Sequence, residues 1–199
     1  IGFQNAIEVK IQPDDADWDP GDTRYSTIRW FAGYPDPGFA QGPSRTDPVT
    51  GQIYDADIRF SEAMTRFFRR EVHEQIYPLA SPLEQAQPRA FVAPWSVKNA
   101  SYLCDFAGAA VKDAEFGFDL LVGRGMDPNG AEADKFIKDF LRAIAAHEVG
   151  HTLGLQHNYA ASPVSRASVM DYPAPRAKLG PDGVPDLSDA YAKGIGEWD

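Results

Sequence analysis

Apolar and polar positions alternate with period two in three stretches of the first sixty residues, the pattern of half-buried strands. Ala6–Ile11, AIEVKI, is the first and reads as a half-exposed strand. Arg24–Phe31, RYSTIRWF, is the clearest, because its alternation is carried by aromatic and β-branched residues. Gln52–Phe60, QIYDADIRF, alternates again as a returning strand. Between the last two, Gly33–Gly51 is rich in proline and glycine and predicts irregular or edge-like backbone. It closes with DPVTG at Asp47–Gly51, where proline presets one φ and glycine completes a turn.

The spacing then becomes helical. Ser61 is a candidate N-cap for an amphipathic helix running to about Tyr77, where Pro78 stops it. Ser81–Pro94 is a proline-punctuated connector. A second helix is expected over about Ala100–Leu121, with Leu103, Phe106, Ala107 and Ala110 on one face. Arg124–Gly130 is a turn, and Asp127 or Asn129 is a candidate cap for a long helix from about Ala131. On that helix Phe136, Phe140 and Ile144 share a side with His147 and His151. Beyond His157 the chain is loop-rich, with Pro163, Pro173, Pro175, Pro181 and Pro185, and Ser188–Trp198 reads as a closing helix. No internal repeat is apparent.

Composition narrows the class of protein without naming a role. The 199 residues suit one domain, and 43% apolar with 24% charged residues is ordinary globular composition. A net charge of −10 argues against a nucleic-acid surface, which needs a basic stripe. The lone Cys104 excludes an intramolecular disulfide framework and reads as a small buried hydrophobe. No apolar run approaches the length of a membrane span. Asp15, Asp17 and Asp19 have the alternate spacing of calcium loops. However, glycine is misplaced and Ser26 stands where the bidentate glutamate belongs, so a solvated turn is favoured over a Ca2+ site. His73, set among charges, reads as a surface residue. The start at Ile1 suggests a processed or excised chain.

Three of the four histidines fall within His147–His157, HEVGHTLGLQH. Residues four apart on a helix share a face, so the His147 and His151 imidazoles can grip one ion. Glu148 can reach a water on that ion without being a ligand. Gly154 can adopt the left-handed conformation that ends a helix and returns the chain, bringing His157 in as a third ligand. Three protein nitrogens leave a tetrahedral metal one open position, as in catalytic zinc sites. Iron or nickel also suits three imidazoles, and zinc is favoured by the glutamate together with the family resemblance of this stretch.

With every fixed position of HExxHxxGxxH filled, the sequence resembles the metzincin clan of zinc endopeptidases. SVMDY at Ser168–Tyr172 looks like the methionine turn of that clan, with Met170 as its methionine. Taken with RYSTIRWF and SRTDPVTGQIYDADIRF, the chain is similar to the catalytic domain of large bacterial zinc-dependent metalloproteases. The resemblance implies an α+β fold: a mixed twisted sheet with an antiparallel edge strand over a long zinc-binding helix, a methionine turn and a C-terminal helix. It implies one catalytic domain over residues 1–199, with an upper subdomain to about 154 and a lower one from about 155. It also implies excision from a longer protein with flanking domains, export, and a peptide or protein substrate. Tyr172 matches the displaceable tyrosine ligand of astacins and serralysins, with a buried, satisfied tyrosine as its rival. The substrate edge is expected at Ala40, Gln41, Gly42, Pro43 and Ser44, within GFAQGPSR, although Gly42 and Pro43 limit regular pairing. Asn158 departs from the residues that the best-known branches place after the third histidine. Two other readings stay open: a metal-bearing binding module without turnover, and a zinc hydrolase of a non-protein amide.

Overall fold

A computed structural model describes residues 4, 7–32, 40–71, 106–164, 166–172 and 174–199. The chain folds as an α+β protein whose sheet is built from β1 (Thr27–Phe31), β2 (Ala40–Gln41), β3 (Ser44–Thr46) and β4 (Ile53–Ser61). β4 is central: β1 runs parallel to it on one side, and β2 and β3 run antiparallel on the other. Its alternation is the QIYDADIRF pattern, yet both faces of its later half are buried, including Asp55 and Asp57. Buried carboxylates need partners. Arg45 donates to Asp55 at 3.0 Å, and the Thr27 hydroxyl donates to Asp57 at 2.7 Å. These bonds tie β4 to a neighbour on each side. Asp47–Gly51 turns β3 into β4 as expected, with the Gly51 N–H on the Asp47 carbonyl at 2.8 Å and φ +75° at Gly51.

The helices α1 (Ala63–Glu71), α2 (Phe106–Gly123) and α3 (Ala131–Thr152) supply most of the core. Met64 and Phe68 come from α1, and Val111, Ala114, Phe118, Leu121 and Val122 from α2. Ala133, Phe136, Ile137, Phe140 and Ile144 come from α3. Phe68 packs edge-on against Phe140 with ring centroids 5.4 Å apart, which joins α1 to α3. Ile58 and Phe60 of β4 close the cluster from the sheet side. The apolar stripe of α3 runs without a break into His147 and Glu148, both fully buried.

Three expectations are corrected. Residues 7–11 form no strand, and Ile7, Val9 and Ile11 are exposed at 59%, 80% and 95%. Alternation alone supplies no partner, and no sheet among the described residues takes this segment. Ser188–Trp198 is a series of turns rather than a helix, held by side-chain to backbone bonds, with Leu187 and Ala190 buried in the core. Neither Asp127 nor Asn129 caps α3: Gly130 is the cap residue, and the Asp127 carboxylate instead accepts the Asn129 N–H at 2.9 Å within the preceding turn. Ser61 does bond the start of α1, accepting the Ala63 N–H at 3.2 Å. A short antiparallel pair, β5 (Lys178–Leu179) with β6 (Pro185–Asp186), appears in the stretch expected to be loop. The stop near Tyr77 and Pro78, His73, the Ser81–Pro94 connector, Leu103, Cys104 and the Phe106 and Ala107 side chains lie outside the described residues.

Candidate metal centre

The end of α3 creates the turn that returns the chain. Leu153 caps the helix, and Gly154 follows with φ +89°, a conformation costly for any residue with a Cβ. The Leu155 N–H bonds the Gly150 carbonyl at 3.0 Å and the Gly154 N–H bonds that of His151 at 2.9 Å, the paired bonds of a Schellman motif. This geometry swings the Leu155 carbonyl back over α3, where His151 Nδ1 donates to it at 3.0 Å. The same turn carries His157 to the helix face.

The three imidazoles converge. His147, His151 and His157 each offer a ring nitrogen, and these atoms all lie within 4.8 Å of one another. His147 Nδ1 donates to the Val169 carbonyl at 2.7 Å. A carbonyl only accepts, so the Nδ1 bonds of His147 and His151 carry the protons and their Nε2 atoms carry lone pairs. His151 Nε2 then faces His157 Nε2 at 3.1 Å. Nitrogens bound tetrahedrally to one zinc at ordinary bond lengths lie roughly 3.3 Å apart, close to that separation. Two facing ring nitrogens suit a shared cation, so this donor set fits zinc. Burial, with help from the two neighbouring imidazoles and against the Val169 carbonyl, pushes His147 down to about 4, which keeps it neutral as a ligand must be.

Glu148 lies one residue along α3, fully buried. Neither carboxylate oxygen has a hydrogen-bond partner of good geometry. Burial pushes its pKa up to about 7, with the Gly42 N–H drawing it partly back. Gly42 is pressed against the helix here: a Cβ on it would stand 2.5 Å from the Glu148 carbonyl oxygen and 3.2 Å from Oε2. The stretch Ala40–Ser44 therefore abuts the acid directly. Ala40 and Gln41 pair with Phe60 and Arg59, Ser44 pairs with Ala56, and Gly42 and Pro43 interrupt the edge between them.

Beneath the imidazoles, Met170 is buried at 1% exposure, and its Sδ would lie 2.2 Å from a Cβ on Gly150. Only glycine at position 150 admits the methionine this close to the helix, between the two histidine turns. The Asn158 N–H bonds the Met170 carbonyl at 2.9 Å, linking the methionine turn to the residue after His157. The Tyr172 hydroxyl is 3.3 Å from His157 Nε2, and that of Tyr159 is 3.3 Å from His157 Nδ1.

Tyr159, the Leu155 and Val169 carbonyls and Gly150 were not singled out from the sequence; Gly150 and Leu155 sit inside the motif, but only the glycine, as a Cβ-free position, carries a readable signal. Asp15, Asp17 and Asp19 do not gather into a metal-holding group among the described residues, and Asp19 accepts the Gly21 N–H at 2.7 Å in a turn. No helix among the described residues is long and apolar enough to cross a membrane. A cavity of about 390 Å3 shares Tyr172 with the triad and is lined by apolar residues (Phe140, Ile144, Val169, Tyr191) and by the cationic Arg142, Arg166, Arg176 and Lys193.

Residues 129–199 match a family model described as Met-zincin, a stretch that begins just before α3 and spans all three histidines, Met170 and Tyr172. No curated protein and no solved structure matches the chain.

Proposed function

We propose that the protein is a zinc-dependent endopeptidase, with His147, His151 and His157 as ligands and Glu148 as general base and acid, a reading supported by the match of residues 129–199 to a Met-zincin model. The observation that carries this reading is the convergence of three ligand nitrogens within 4.8 Å beside a buried glutamate that makes no hydrogen bond of good geometry. A structural zinc has no use for such an acid; a hydrolytic site has. Zinc held by His147, His151 and His157 would supply Lewis acidity for a carbonyl and would lower the pKa of a water toward neutrality. The Glu148 carboxylate would take up a proton from the attacking water and hand it to the leaving amine. The Tyr172 hydroxyl, 3.3 Å from His157 Nε2, would donate to the carbonyl oxygen as charge develops there.

The substrate backbone would run extended along Ala40–Ser44, adding a strand on the side of β2 and β3 that no strand among the described residues pairs. Gly42 sets the close distance between that edge and Glu148. The 390 Å3 cavity beside Tyr172 would receive a substrate side chain, against a lining that is apolar at Phe140, Ile144 and Tyr191 and cationic at Arg142, Arg166, Arg176 and Lys193. The test is metal content together with cleavage-site mapping on a mixed peptide pool, with and without a chelator. One zinc per chain and chelator-sensitive cuts at internal peptide bonds are expected. Zinc binding with no peptide cleavage would leave the binding-module or non-protein-amide reading in its place.

A further inference from the structure

We propose that Asp199 is a positioning residue for this metal centre, acting through the methionine turn on His147. The inference rests on the metal-centre reading above. Its side-chain oxygens gather donors from two segments. Oδ1 accepts the Ser168 hydroxyl, Oδ1 and Oδ2 accept the Val169 N–H at 3.1 and 2.9 Å, and Oδ2 accepts the Gly196 N–H at 2.6 Å. Ser168 relays the grip, because its oxygen accepts the Met170 N–H at 3.0 Å. The Trp198 N–H bonds the Ala167 carbonyl at 2.8 Å, and a Cβ on Gly196 would stand 2.0 Å from that same oxygen, so the two backbones lie in close contact.

Val169 is therefore held at its N–H by Asp199 and uses its carbonyl to accept His147 Nδ1–H at 2.7 Å. Among residues 168–172 there is no strand or helix to hold that carbonyl in place. An aspartate with several donors supplies the rigidity that regular structure provides elsewhere. Partners one step removed from a metal set the ring orientation and tautomer of the ligand. Asp199 stands one step further out and sets the partner.

Two measurements test this. In the metal-free protein, ring-nitrogen NMR of His147 should show the Nδ1–H tautomer in the wild-type chain and a mixture in Asp199→Ala. Zinc affinity by chelator competition should fall about 10–100-fold in Asp199→Ala, the usual cost of losing an outer-shell partner. Asp199→Asn keeps the side-chain shape but turns a donor toward the Val169 or Gly196 N–H. It should shift both readouts in the same direction, and it decides the matter if the alanine variant fails to fold. A folded Asp199 variant with the wild-type His147 tautomer and wild-type zinc affinity would overturn the proposal. A wild-type chain that binds no zinc would instead defeat the metal-centre reading, while the NMR arm still reports on Asp199.

Discussion

Helix α3 delivers His147, Glu148 and His151 from a face whose earlier turns, Phe136, Phe140 and Ile144, are locked in the core. His157, Met170 and Tyr172 come from residues 153–172, whose only helix or strand among the described residues is the 3₁₀ turn Tyr159–Ala161. The first set is placed by helix geometry and apolar packing. The second is placed by individual polar bonds, each from donor to acceptor: Leu155 to Gly150, Asn158 to Met170, Ser162 to Asp171 at 2.8 Å, and Val169 to Asp199. The contrast teaches that one site can be rigid for two reasons. Packing spreads the load over many contacts, so that single losses are tolerated in position if not in stability. A set of discrete hydrogen bonds concentrates it, so that single losses displace a group.

Variants can break or sharpen this contrast. The largest expected effect lies on the helix side: Glu148→Ala should lower kcat about 10²–10⁴-fold, the range for a general acid–base group, with zinc and thermal stability retained. Undiminished casein or peptide cleavage by that variant would remove Glu148 from the mechanism. Next comes His157→Ala, on the loop side. Its zinc affinity should fall by more than the roughly 10–100-fold cost of losing an outer-shell partner. Metal analysis that still finds one tight equivalent would contradict the three-ligand assignment.

Gly150→Ala tests the junction between the two sides. Driving a methyl group into Met170 Sδ should cost about 1–3 kcal/mol of stability by overpacking. The better helix propensity of alanine returns up to about 1 kcal/mol. A lower Tm is expected, partly restored when Met170→Ala is added; an unchanged Tm would mean that the methionine does not bear on the helix. The smallest effect is Tyr172→Phe, with turnover slowed about fivefold, the worth of one net hydrogen bond of about 1 kcal/mol, and zinc content unchanged. Unaltered kinetics would return Tyr172 to a packing role.

Much of the helix side was legible before any coordinates. The i, i+4 histidines, the apolar stripe leading to them and the stop at Gly154 all follow from helical period and from the one residue type that tolerates a left-handed turn. The Asp47–Gly51 turn and the strands beside it were legible for the same reason, since their signals lie within a few residues of one another. Where a pattern needed a distant partner, sequence reading misled. Ile7, Val9 and Ile11 alternate as a strand should, yet remain exposed because pairing is a property of two segments. Ser188–Trp198 carries apolar residues at helical spacing, but Asp199 and Gly196 draw its end onto the methionine turn, and the backbone follows those bonds instead.

By itself the sequence determined which imidazoles could share a cation and which carboxylate stands beside them, because residue type and helical spacing are local properties of eleven residues. Only the tertiary structure decided that the Val169 carbonyl orients His147, that Gly42 lies against Glu148, and that Asp199 holds the turn from about thirty residues away. Those contacts join segments far apart in the chain, and their geometry exists only once the core has brought the segments together.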